Sequence, residues 1–160
     1  MEQFIKVNFK NMVHIVHKNE YGEILADFED HNLITTEGID WVADRLGNAN
    51  TNNAANYIGL SSDTTDPAVG DLQTGWNSIE YTTAGLSRAQ GTYAHTASTS
   101  TYTVAKTFTC TSDSQTVAKA ALLSDTHATG GKMFAEYEFT AATTLNTNDT
   151  LTVTWTITLS

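Results

Sequence analysis

Thr150-Leu151-Thr152-Val153-Thr154-Trp155-Thr156-Ile157-Thr158-Leu159 alternates without a break. Successive side chains of a β-strand point to opposite faces, so Leu151, Val153, Trp155, Ile157 and Leu159 share one face and five threonines the other. Such a strand is antiparallel and half-buried, apolar inward and polar outward. The composition of the second half of the chain extends this reading. Of 28 Thr in 160 residues, 22 lie in 81–160, while charged residues make up only 16% of the chain. β-branched Thr loses rotamer freedom in a helix and suits a pleated surface, which argues against a helical bundle. Three Trp, six Tyr and six Phe need burial, which argues against disorder.

Working outward, strand-like segments at 78–83, 87–96, 101–111, 115–123, 132–140 and 150–159 are separated by Ser/Thr/Asn/Gly clusters. Tyr57-Ile58-Gly59-Leu60 reads as a short buried strand, and 61–75 as a long polar loop holding the only proline, Pro67. Residues 47–56 form an Asn-rich loop tip. At the start, 4–9 alternate, and 12–17 and 24–28 flank Lys18-Asn19-Glu20-Tyr21-Gly22 as a hairpin. One helix is expected at about 36–46. Thr35 or Thr36 caps it, Glu37 and Asp40 suit its first turn, and Gly47 comes just after its end. Ile39, Val42, Ala43 and Leu46 would form its core-facing stripe, with Trp41 off that stripe under a loop or at a subunit contact. The expected fold is an all-β antiparallel sandwich, or a jelly-roll-like variant, with this one short helix. Residues 1–160 read as one domain, with 1–31 as an N-terminal strand and hairpin extension and 32–160 as the main body.

The net charge of −10 is concentrated. Residues 21–80 hold Glu23, Asp27, Glu29, Asp30, Glu37, Asp40, Asp44, Asp63, Asp66, Asp71 and Glu80 against Arg45 alone. With no basic stripe to neutralise phosphates, neither nucleic acid nor an anionic membrane surface is an expected partner. The acidic segment is expected to face solvent at one end of the sandwich, leaving the contact surface elsewhere. The N-terminal residues show no long apolar run, so no signal peptide and no membrane span are expected, and synthesis in the cytoplasm is the consequence.

Few residues suggest chemistry. Cys110 alternates with Val104 and Phe108 and reads as a small buried hydrophobe. His14 and His17, three apart on a strand, point to opposite faces and cannot share an ion. His31, His95 and His127 stand apart from one another, so surface or hydrogen-bond-capped positions are expected for the histidines. Asp63, Asp66 and Asp71 could gather oxygens for Ca²⁺, but their spacing matches no EF-hand loop, and an acidic turn is the simpler reading. Glu136 and Glu138 share a strand face opposite Met133, Ala135, Tyr137 and Phe139, where solvation is expected. No Gly-x-Ser-x-Gly elbow exists, and Thr129-Gly130-Gly131-Lys132 reads as a hairpin turn, not a phosphate loop. Asn148-Asp149-Thr150 fits a glycosylation sequon that a chain without a signal peptide would not expose to that machinery. No catalytic, metal or cofactor-binding residue is assigned, and an enzyme is not expected.

The order of motifs carries a resemblance. Asn32-Leu33-Ile34-Thr35-Thr36-Glu37-Gly38 leads into the helix ending Ala43-Asp44-Arg45-Leu46. Then come Tyr57-Ile58-Gly59-Leu60, the loop Asp63-Thr64-Thr65-Asp66-Pro67, Leu86-Ser87-Arg88-Ala89, Ala118-Lys119-Ala120-Ala121-Leu122-Leu123 and Gly130-Gly131-Lys132-Met133-Phe134-Ala135. Over about 32–160 this resembles small virion structural proteins of tailed bacteriophages and tailed archaeal viruses. More distantly it is similar to the N-terminal attachment domain of tail-collar fibre proteins, from which 119–123 depart by lacking an acid and a glycine. The resemblance implies a non-catalytic virion subunit, a capsid decoration, head-fibre or tail-attached piece. Its partners would be other capsid or tail proteins and further copies of itself, a trimer among the symmetries open to it. The alternative is a carbohydrate-binding or host-receptor-binding sandwich module, using Trp76, Tyr81, Tyr93 or Tyr102 as a stacking platform.

Overall fold

The computed structural model describes residues 8–47, 54–124 and 131–160. In chain order the elements are β1 (Phe9–Lys18), β2 (Ile24–His31), β3 (Leu33–Ile34), α1 (Thr36–Gly47), β4 (Tyr57–Ser61) and α2 (Gln73–Trp76). After these come β5 (Ala89–Gln90), β6 (Thr92–His95), β7 (Thr101–Thr109), β8 (Gln115–Leu123), β9 (Met133–Leu145) and β10 (Thr150–Leu159). They build two five-stranded antiparallel sheets, ordered β2-β1-β10-β7-β6 and β3-β9-β8-β4-β5. The fold is the expected all-β sandwich.

β10 lies at the centre of the first sheet between β1 and β7. Leu151, Val153, Trp155 and Ile157 are fully buried, as the alternation requires, while Leu159 at the strand end is 40% exposed. They meet Val13 and Ile15 of β1 and Val104 and Phe108 of β7, and across the sandwich Ile58, Leu60, Leu122, Phe134, Tyr137 and Phe139. Each large apolar side chain removed from water in this way contributes about 1.5–3 kcal/mol. Residues 9–31 supply two strands of the first sheet, β1 pairing with β10 along ten residues. The segment expected as a strand at 4–9 lies mostly outside the described residues.

Several connections cross from one sheet to the other. The segment 87–96 is not one strand: β5 pairs with β4 and β6 with β7, so the chain changes sheet at Gly91. A Cβ there would stand 2.7 Å from Val104 Cγ1, which explains the glycine. The β7–β8 and β9–β10 crossings lie side by side. Cys110 N donates to Asp149 O at 2.8 Å and Asn148 N to Cys110 O at 2.8 Å. The core position expected for Cys110 is observed. Residues 78–83 are not a strand either; Glu80 makes only an isolated bridge to Ser61, and α2 forms within the segment expected as loop.

Helix α1 starts as expected and faces differently. Thr35 Oγ1 accepts from Gly38 N at 3.0 Å and itself donates to Met133 O, so one hydroxyl caps the helix and ties it to β9. A Cβ on Gly38 would stand 2.2 Å from Phe134 O; only glycine permits this approach. The inward side is therefore Gly38, Trp41 and Val42, with Trp41 edge-on to Phe134 at 6.2 Å and the Arg45 guanidinium 5.5 Å over the Trp41 ring. The expected stripe is corrected: Ile39 and Leu46 are 47% and 85% exposed. Periodicity locates an apolar face, but the Gly38 contact sets the rotation of the helix. Residues 48–53 of the Asn-rich tip and 125–130, including His127 and Gly130, lie outside the described residues.

Candidate functional site

The second sheet is buried on both faces. On its outer side Tyr57 and Gly59 of β4, Ala121 and Leu123 of β8 and Met133 of β9 lie beneath Trp76, which is 2% exposed. A Cβ on Gly59 would stand 2.6 Å from Trp76 Nε1, so this glycine makes room for the indole. The indole N–H donates to Glu80 Oε2 at 3.2 Å. Glu80 in turn accepts two bonds from Arg88, Nε to Oε2 and Nη2 to Oε1, both at 2.9 Å, with both side chains buried. Such a planar two-point pair suits a buried site because it satisfies the charge it desolvates.

Next to this cap, residues 61–75 fold over β8 and β9. The register breaks between Val117 and Lys119. Val117 lies in the core, whereas Lys119 lines the outer cleft, as bulges commonly re-aim a side chain. Lys119 Nζ donates to Asp63 Oδ2 at 2.9 Å, its side chain only 3% exposed. Asp63 also accepts from Thr65 N at 3.1 Å, and the Lys119 ammonium holds its carboxyl below the usual carboxylate range. Asp71 Oδ2 accepts from Ala68 N at 2.7 Å. Glu136 projects from β9 toward it, 2% exposed, with Oε1 unpartnered among the described residues. Burial, reinforced by the adjacent Asp71, pushes the Glu136 carboxyl up to about 8, so at neutral pH it keeps its proton. Asp71 is correspondingly lowered, chiefly by the hydrogen bond from Glu136. Glu138 is raised, by burial and by Asp66.

Glu37, in the first turn of α1, accepts from Gln73 N at 2.9 Å and Met133 N at 2.8 Å and lies 3.4 Å from Lys132 Nζ. It joins α1, α2 and β9, a larger task than complementing a helix dipole.

The structure thus gathers residues that the sequence presents as two separate sets. Asp63, Asp66 and Asp71 of the loop meet Glu136 and Glu138 of the strand. The expectation that Glu136 is solvated is corrected, because the 61–75 segment covers it. Of the acidic segment expected to face solvent, Glu23, Asp27, Glu29, Asp30, Asp40 and Asp66 are exposed, whereas Glu80 is buried against Arg88 and Asp63 is half-buried against Lys119. Lys119 was legible as the one charge inside the apolar run 117–123. The Trp76–Glu80–Arg88 set carried no such local signal.

The histidines stay apart. His14 pairs with Asp27 at 2.7 Å on the outer face. His17 points inward, as the three-residue spacing requires, and is buried and capped at both ring nitrogens, with Thr143 Oγ1 at 2.7 Å and Asp149 Oδ2 at 3.2 Å, the second of its two expected roles. Among the described residues no group of three or more His, Cys, Asp or Glu is arranged to hold a metal ion. Of the expected aromatic platform, Trp76 is buried and Tyr81 donates its hydroxyl to Thr116 O at 2.7 Å. Tyr93 is 57% exposed and tilted over Tyr102 at 5.5 Å. Compared with protein-family models, curated proteins and solved structures, the chain matches none of them. Among the described residues no helix is long and apolar enough to cross a membrane.

The outer face of the first sheet is different in kind. Thr150, Thr152, Thr154, Thr156 and Thr158 of β10 stand beside Thr101, Thr103, Ala105, Thr107 and Thr109 of β7, continued by Thr92 and Ala94 of β6. The Thr107–Thr152 and Thr101–Thr158 hydroxyls bond across the strands at 2.8 Å. These three strands carry no charge on that face.

Proposed function

We propose that this chain is a non-catalytic structural protein of a tailed-virus particle, a capsid decoration, head-fibre or tail-attached subunit that works by symmetric assembly. The observation that carries the reading is the uncharged threonine face of β10, β7 and β6. A chain of net charge −10 repels its own copies. A neutral face of short side chains is where two copies approach at least electrostatic cost, and a self-complementary face is what a closed symmetric assembly uses. The motif order from Thr35-Thr36-Glu37-Gly38 to the terminal strand supports the same reading by resemblance. Two of its features have structural reasons here, the Thr35 cap and the Gly38 approach to β9.

Mass spectrometry and electron microscopy of purified particles of the encoding virus test the proposal. Stoichiometric presence on the capsid or tail is expected, and absence from the particle would overturn it. A glycan-binding module is the second reading, resting on the exposed Tyr93 ring beside Tyr102. Binding on a glycan array that Tyr93→Ala abolishes would favour it.

A further inference from the structure

We propose that the cleft between the 61–80 cap and the outer face of the second sheet receives a lysine side chain from a partner protein. The cleft measures about 230 Å³, the scale of one long side chain. Its lining includes the apolar side chains of Leu72, Trp76, Ile79 and Met133. It also includes Asp63, Asp71, Glu136 and Lys119. A butyl stem with a terminal ammonium suits such a mixed lining, because long cationic side chains bury their methylenes against apolar surface and keep the charge for polar partners.

Three observations favour this occupant. First, Glu136 is 2% exposed and its Oε1 lacks a hydrogen-bond partner among the described residues, a costly state that an incoming donor relieves. Second, Lys119 is paired with Asp63, so the Asp71 carboxylate beside Glu136 is held by the Ala68 N–H and the Glu136 proton and by no ion pair of its own among the described residues. Third, the acceptors come from separate side chains, which suits the three rotatable donors of an ammonium better than the planar fork of a guanidinium. A bare metal ion is disfavoured, since no group of carboxylates among the described residues is arranged to hold one. Entry of the ammonium displaces the Glu136 proton to solvent. Binding therefore tightens as pH rises toward 8, in a surrounding set by Asp63 and Asp71 of the loop, Lys119 of β8, Glu138 of the same strand and His31 at the end of β2.

The test titrates the full chain with Nα-acetyl-lysine methylamide, its norleucine counterpart and calcium chloride, following the Trp76 indole N–H by NMR. Saturable shifts with the lysine compound alone are expected, weakened at least tenfold in Glu136→Gln and stronger at pH 8 than at pH 6. Equal shifts with norleucine would mean an apolar pocket only. Calcium-specific shifts would mean an ion site. Silence from all three would mean a filled structural joint. Each of these overturns the proposal, and because all three compounds are compared on the native chain, the outcome stands even if Glu136→Gln fails to fold.

Discussion

β10 and β8 are both central strands of five-stranded sheets, yet only one of them shows its outer face to water. Along β10 the side chains alternate between full burial and partial exposure; along β8 every residue from Val117 to Leu123 is buried. The difference lies in the connection after β4. This long segment, with α2 inside it, turns back over β4, β8 and β9 and seals the second sheet, and no equivalent segment among the described residues covers the first. The cover dictates the chemistry of each face. Threonine suffices on the open face, where water completes its hydrogen bonds. The sealed face has trapped Glu80, Lys119 and Glu136, and each is accommodated by another means: a two-point arginine, an ion pair, and a retained proton.

That contrast sets the expected sensitivities. Arg88→Met leaves Glu80 buried beside Trp76 without its two-point partner and should cost about 3–5 kcal/mol in urea unfolding. Asp27→Asn, at the exposed His14 pair on the open sheet, should cost about 0.5 kcal/mol or less, and equal costs would erase the distinction. Gly59→Ala should cost about 1–3 kcal/mol by forcing Trp76 off the sheet, with its fluorescence moving to longer wavelength; an unshifted spectrum would place the indole elsewhere. Glu136 gives a pH signature. Its folded carboxyl holds a proton up to about 8 while the unfolded one releases it near 4.5, so the folded state binds more protons between those values. Stability must then fall as pH rises across that window, by up to about 1.4 kcal/mol per pH unit, and Glu136→Gln should remove the slope. An identical slope in wild type and variant would mean that Glu136 is ionised when folded. The smallest effect is expected at Thr152→Ala on the open face, within about 0.5 kcal/mol, since its bond to Thr107 is exchanged for water.

The alternating strands were the most legible part of the chain. 150–159 appears with the expected limits because a pattern of period two is local and burial enforces it, and 115–123 does so as a short apolar run buried on both faces. The start of α1 was legible for the same reason, being written in Thr35-Thr36 followed by Glu37, although only the structure selects Thr35 as the cap. What escaped was decided at a distance. The helix is rotated by Gly38 against β9, so Ile39 and Leu46 look like core and are not. The chain changes sheet within 87–96 at Gly91, where the backbone passes close to Val104, thirteen positions on in the sequence. The acidic residues of the candidate site were each visible, but the coverage that buries Glu136 depends on where 61–75 comes to rest. The lone Lys119 in an apolar run was the one local hint of that cover.

The central claim is that the sealed face stabilises the fold and the open threonine face serves assembly. Native mass spectrometry of the full chain, beside a Thr154→Arg variant, tests it most directly. The account predicts a closed homo-oligomer for the wild type and a monomer with unchanged circular dichroism for the variant. A wild type that stays monomeric at high concentration, or a variant that assembles equally well, would contradict it.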